Sequence, residues 1–158
     1  MQIYLVRHGE AKTEIEDPAR PLSDPGRDEV MSVARHVAAL GIQPAAIRHS
    51  GKLRAQQTAE IFAELLSPAR GIRKMDGLAP GDHPHTAQVE IEASREPLML
   101  VGHLPHLSRL ASALLCGDPQ QELIEFPAGA IVCLARDNEG FPLQWILTPQ
   151  LARVRGSA

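Results

Sequence analysis

The sequence predicts an α/β fold: a mostly parallel central sheet flanked by helices, ending in a C-terminal antiparallel hairpin. Three observations carry this. The continuously apolar runs in "QIYLV" and "PLMLVG" read as strands buried on both faces, as parallel sheets require. Longer segments with helical apolar spacing alternate with the strands. The last apolar stretch is interrupted by Asp137–Gly140, a turn signal between two runs that can pair directly.

The elements follow in order. Residues 2–6 form the first strand, and residues 10–22, with Pro18, Pro21 and a run of acidic side chains, form a loop. "SDPGRDEVMSVARHVAALG" reads as a helix capped by Ser23 or Asp24, with Val30, Val33, Ala34, Val37 and Leu40 on one face and Gly41 as its stop. A weakly apolar strand is expected at about 45–48. A second helix, capped by Ser50, turns Ala55, Thr58, Ala59, Phe62, Leu65 and Leu66 inward. A strand near 72–75, a Gly/Pro/His loop over 76–85 and a short helix near 86–94 lead into "PLMLVGH", the second clearly buried strand. "HLSRLASALLCG" is a helix ending at Gly117, and "AIVCLARDNEGFPLQWILTP" is the terminal hairpin.

Bulk properties narrow the function. The chain has 158 residues, 44% of them apolar, which suits one domain over 1–158 with its own core. A net charge of -3 provides no basic excess for neutralising nucleic-acid or membrane phosphates, so any anion site must be local. Cys116 and Cys133 form no CxxC pair, which favours a reducing compartment. Arg7 interrupts the N-terminus before a signal-peptide hydrophobic region could form, and no run reaches membrane length. A cytoplasmic protein is expected.

The chemistry gathers at strand ends. The first strand ends in Arg7-His8-Gly9. The second ends in His49-Ser50 and enters a helix with Arg54 in its first turn. The fourth ends in Gly102-His103. Carboxyl ends of parallel strands share one edge of an open sheet, where ligands bind. Two guanidinium forks and a helix N-terminus there suit a phosphate group. His8 can be a nucleophile if it is neutral, with one nitrogen free and the other N–H held by an acceptor such as a backbone carbonyl. The two arginines are expected to keep it neutral near pH 7 and to stabilise the transferring phosphoryl oxygens. His103 is expected to donate to those oxygens in its protonated form.

Arg7-His8-Gly9, Ser50-x-x-x-Arg54-x-x-x-Thr58 and a late His103, in this order, resemble the histidine phosphatase (phosphoglycerate mutase-like) superfamily. The short length, "RPLSDPGRDE" at 20–29, "LRAQQT" at 53–58 and "HLP" at 103–105 are most similar to its compact SixA-type phosphohistidine phosphatase branch. The resemblance spans essentially the whole chain and implies a phosphoglycerate mutase-like fold. It implies that His8 is phosphorylated and that Arg7, Arg54 and His103 bind the phosphoryl group. It also implies a phosphohistidine-bearing protein, for example a histidine-phosphotransfer domain, as partner, without cofactor or metal.

The departures from the family pattern concern the proton donor. Larger members carry a glutamate in an inserted segment, and another branch has Asp directly after the late histidine. Here Leu104 follows His103, and little room for an insert exists between 76 and 97. Asp82 and Glu10 are the nearest acids. A weak acid suits a phosphoramidate, because a protonated imidazole leaves readily whereas an alkoxide needs a proton.

Rival chemistries lack their parts. Cys116 and Cys133 are followed six residues later by Glu122 and Glu139 rather than the Arg of a cysteine phosphatase, and Gly51-Lys52-Leu53 is no Walker A motif. His83-x-His85 and His103-x-x-His106 have no cysteine or carboxylate cluster to complete a zinc site. A small-molecule phosphatase and a noncatalytic phosphoprotein-binding module remain as alternatives.

Overall fold

In a computed structural model, residues 1–153 are described; residues 154–158, the end of the expected domain span, lie outside it. The strands are β1 (Gln2–Arg7), β2 (Ala46–His49), β3 (Ile72–Lys74), β4 (Leu98–Gly102), β5 (Ile131–Ala135) and β6 (Leu143–Leu147). The helices are α1 (Asp24–Ala39), α2 (Leu53–Leu66), α3 (His85–Ala93), α4 (His106–Cys116) and α5 (Pro149–Arg153). The strands form one sheet in the order β3-β2-β4-β1-β5-β6. β1, β2, β3 and β4 are mutually parallel, while β5 runs antiparallel to both β1 and β6.

Alternation along the strands builds two cores. Tyr4 and Val6 face one side, with Ile47, Met99 and Val101, under Val30, Val33 and Val37 of α1 and Ala59 and Phe62 of α2. Ile3 and Leu5 face the other, with Leu98 and Leu100, under Ile91 of α3 and Leu107 and Leu110 of α4. With so few aromatics, aliphatic side chains supply the burial, each contributing about 1.5–3 kcal/mol when taken from water. β1 and β4 are central because both of their faces are apolar.

Several boundaries differ from the sequence expectation for physical reasons. β2 is buried along its whole length despite its polar residues, because β3 and β4 flank it on either side. α1 begins at Asp24 with Ser23 as its cap, but Leu40 is its C-cap, just past Ala39, and is 62% exposed rather than inward. Ser50 is not the cap of α2; Lys52 holds that position without a side-chain hydrogen bond. Leu65 packs only partly against the core, and Ile61 takes the buried place. α5 escaped the periodicity analysis because five residues hold no full apolar repeat; Pro149 starts it and Arg153 pairs with Glu29 at 3.0 Å. Among the described residues, no helix is long and apolar enough to cross a membrane.

One close approach fixes the loop after β1. A Cβ on Gly26, in the first turn of α1, would lie 2.1 Å from the Glu10 carbonyl oxygen, and one on Gly9 would lie 2.6 Å from Val30 Cγ2. Helix propensity alone would favour Gly26→Ala by up to about 1 kcal/mol. The backbone clash outweighs this, so Gly26→Ala should destabilise the protein by about 1–3 kcal/mol in denaturant unfolding. Gly81→Ala, with open space around its Cβ, should be near neutral. Equal stability of the two variants would show that the loop yields.

Candidate active site

The carboxyl ends of β1, β2 and β4 lie side by side at one sheet edge, and their extensions bring the predicted residues together. The His8 amide donates to the Gly102 carbonyl at 3.0 Å, and the Arg7 amide to Ala130 at 3.1 Å. The backbone around Arg7 and His8 is thereby stitched to the end of β4 and to the loop before β5. The His8 and His103 rings meet with centroids 4.9 Å apart. Arg54 is close enough for its charge to act on both imidazoles.

The spacing of Arg54 and Thr58 on α2 has a geometric cause. Residues four apart lie on one helix face. Thr58 Oγ1 donates to the Arg54 carbonyl at 2.8 Å and accepts from the Gly9 amide at 3.1 Å. Thr58 thus ties α2 to the peptide that follows His8, which places Arg54 beside it. Ser50 Oγ meets His103 Nε2 at 2.6 Å, linking the ends of β2 and β4.

The backbone fixes the tautomer of His8. Its Nδ1 lies 2.6 Å from the Gly9 carbonyl oxygen. A carbonyl only accepts, so Nδ1 carries the proton and Nε2 keeps its lone pair. The ring's pKa is lowered to about 4, first by burial and then by Arg54, Arg7 and Arg20, against the Gly9 hydrogen bond, which raises it. The expected neutrality is present, but burial contributes more than the arginines do.

His103 departs from expectation. Burial, His8, Arg54, Lys52 and His106 lower its pKa to about 3, so it is neutral at pH 7 rather than a protonated donor. It can still donate from one nitrogen while the other meets Ser50, whose hydroxyl rotates to suit.

The arginines are short of counter-charge. Arg7 Nη1 donates to the Phe126 carbonyl at 2.7 Å. Arg7 Nε, Arg54 Nε and His103 Nδ1 are buried without hydrogen-bond partners among the described residues. Burial lowers the pKa of Arg7; burial and Arg20, opposed by Glu14, lower that of Arg54. An oxyanion between the forks would relieve both the repulsion and the unmet donors.

Of the two acids, Glu10 Oε1 accepts from Ser23 Oγ at 3.0 Å, at the cap of α1. Asp82 Oδ2 accepts from the Ala79 amide at 2.9 Å and shares a cavity of about 470 Å³ with Ser50, Lys74 and His83. Asp82 is therefore on the wall next to Ser50, whereas Glu10 is engaged in holding a helix end. Arg20 was missed as a site cation. Its signal lay in "RPLSDPGRDE", but no sequence spacing shows that a loop folds back; its Nε donates to the Lys12 carbonyl at 3.2 Å.

Comparison with known proteins places the chain in a family. A family model described as "Histidine phosphatase superfamily (branch 1)" matches residues 3–96. An uncharacterized protein of Picosynechococcus sp. (strain PCC 7002) is 34% identical, over 93% of this chain and 99% of its own. Phosphohistidine phosphatase SixA of Escherichia coli K12 is 24% identical, over 94% of both chains. A solved structure of the protein histidine phosphatase SixA with tungstate superposes with a TM-score of 0.83 at 24% identity, covering 95% of this chain and 98% of that one. Phosphoserine phosphatase of Entamoeba histolytica does so with a TM-score of 0.73 at 14% identity, covering 95% and 98%. The fold is thus the phosphoglycerate mutase-like one, and the chain belongs to the histidine phosphatase superfamily.

Proposed function

We propose that this chain, as a single domain over residues 1–158, is a cytoplasmic phosphohistidine phosphatase acting on a protein such as a histidine-phosphotransfer domain. The observation that carries the reading is His8, with Nδ1–H held by the Gly9 carbonyl and Nε2 free beside Arg7, Arg54 and His103. Nε2 attacks phosphorus as the P–N bond to the substrate imidazole breaks, and that imidazole departs with a proton. Water then attacks the phosphorylated His8, the second P–N bond breaks, and phosphate leaves. Arg7 and Arg54 hold the equatorial oxygens through both steps, and His103 donates to them. Only residues 75–84 separate β3 from α3, too few for a helical lid, which favours a protein-borne phosphoryl group.

A second reading, a small-molecule phosphatase, draws on one relative. The Cronobacter sakazakii chain named "Probable phosphoglycerate mutase GpmB" is 32% identical over 85% of this chain, which spans 63% of that protein. Leaving-group chemistry separates the readings. Phosphohistidine releases a neutral imidazole, an aryl phosphate a moderately stable phenolate, and an alkyl phosphate an alkoxide that needs an acid. The specificity constant at neutral pH should fall in that order. If 3-phosphoglycerate or a sugar phosphate were best, and Asp82→Asn or Glu10→Gln abolished that activity selectively, the small-molecule reading would replace this one.

Binding and chemistry should separate by mutation. His8→Ala should abolish turnover yet retain inorganic phosphate affinity, while Arg7→Ala and Arg54→Ala should damage both, by about tenfold or more in affinity. Substantial turnover in His8→Ala would point instead to direct attack by water.

The acid limb gives a further check. Protonated His8 has no lone pair, so activity is lost as pH falls through its folded pKa. With that value near 4 rather than 6.5, kcat/KM corrected for substrate ionisation should hold to about pH 5 and fall below about 4. An enzyme limb near 6.5 would show that His8 is not held neutral in this way.

A further inference from the structure

A second cluster of arginines lies away from the active site. Along β2, Ile47 joins the core under α1 and α2, so Arg48 takes the opposite face, level with Arg73 on the edge strand β3. α3 leaves the margin of that face open, as a cavity of about 490 Å³ lined by Arg48, Arg70, Arg73 and Arg95 with Glu90 and Glu96. Ala46 and Leu98, at the amino ends of β2 and β4, add an apolar wall, so the cavity opens toward the sheet edge opposite His8. None of Arg7, His8, Arg54 or His103 lines it.

Arg48 is the unusual member. It is 7% exposed, its Nη1 donates to the carbonyl of its own neighbour Ile47 at 3.1 Å, and among the described residues it has no ion pair. Glu96 is engaged with Arg70. Four guanidinium groups thus face two carboxylates. Burial and Arg73 disfavour the charge on Arg48, Glu90 favours it, and Arg70 again disfavours it. A buried guanidinium without a carboxylate is costly unless an anion completes it.

We propose that this cavity is a second, noncatalytic anion site, which takes a small phosphorylated molecule between the guanidinium groups of Arg48 and Arg73. Planar forks on adjacent strands match phosphate oxygens bidentately. The volume fits a small ligand. Glu90 and Glu96 on the wall repel a long phosphodiester chain, and no aromatic side chain is present to stack a base. Ala46 and Leu98 offer contact to a short carbon skeleton.

The test is amide NMR of the full chain, titrated with inorganic phosphate at constant ionic strength in chloride. Two independently saturating sets of shifts are expected, one around Gly9, Ser50 and Gly102, the other around Ala46, Arg73 and Ser94. Arg73→Gln, on the more exposed arginine, should weaken the second set about tenfold or more while sparing the first set and turnover. Arg54→Gln should do the reverse. Arg48→Lys, which keeps the charge but loses the fork, should also weaken the second set. In His8→Ala, glycerol 2-phosphate should bind the second site more tightly than phosphate does. The proposal is overturned if no second set appears well past saturation of the first, or if that set persists undiminished in Arg73→Gln and Arg48→Lys. Equal or weaker binding of glycerol 2-phosphate there would overturn its assignment to an organic phosphate.

Discussion

The peptide group of Gly9 is the point on which the site depends. Its amide donates to Thr58 on α2, and the carbonyl of the same residue accepts from His8 Nδ1. One residue therefore sets both the tautomer of His8 and the position of the helix that brings Arg54. The arrangement requires the chain after β1 to run hard against α1, with glycine on both sides of the contact, Gly9 and Gly26. Ser23 contributes by accepting from the Gly26 amide at 3.1 Å, which holds the start of α1 in place. The orientation of His8 is thus built from backbone contacts, which side-chain rotamers have little freedom to undo.

Electrostatics supplies the reason for the burial. Arg7, Arg54 and Arg20 gather around two histidines, and burial is the largest cause of the depressed imidazole pKa values. The site therefore crowds cations together and holds both rings neutral. The same neutrality makes folding pH-dependent. The unfolded chain protonates its histidines near 6.5. The folded chain does so only near 4 at His8 and 3 at His103, so stability from these groups is full above about 6.5 and declines as pH falls through the folded values.

The sequence made the strand ends legible because two simple rules coincide there. Continuous apolar runs mark parallel strands, and the carboxyl ends of such strands share an edge, so Arg7, His8 and His103 could be placed together without coordinates. Arg54 followed from its position in the first turn of a helix, and the terminal hairpin from its turn residues. What escaped depends on long-range packing. β2 looked polar because Arg48 is buried for a reason outside its own strand. Ser50 looked like a cap because cap chemistry and a bond to His103 call for the same hydroxyl. Arg20 sits in an irregular loop, held there by the Lys12 carbonyl and by a left-handed φ of 50°, which no periodicity reports.

Two unit charges about 4 Å apart interact by on the order of 4 kcal/mol at an effective dielectric near 20, which corresponds to roughly three pKa units. Burial is the main cause that holds His103 near 3, and repulsion from His8, Arg54 and Lys52 adds to it. A phosphoryl dianion held by Arg7 and Arg54 would oppose that repulsion and move the pKa upward. Part of this gain is offset by the arginines, which already balance the dianion. Protonation of His103 is then a property of the loaded site rather than of the empty one. A proton that appears only with the phosphoryl group is available to strengthen hydrogen bonds to its oxygens. It is absent when the site is vacant, where a buried imidazolium would add to the cationic crowding. On the proposed reading, the neutral imidazole suits the folded protein alone, and the charge of a bound phosphoryl group would favour the imidazolium.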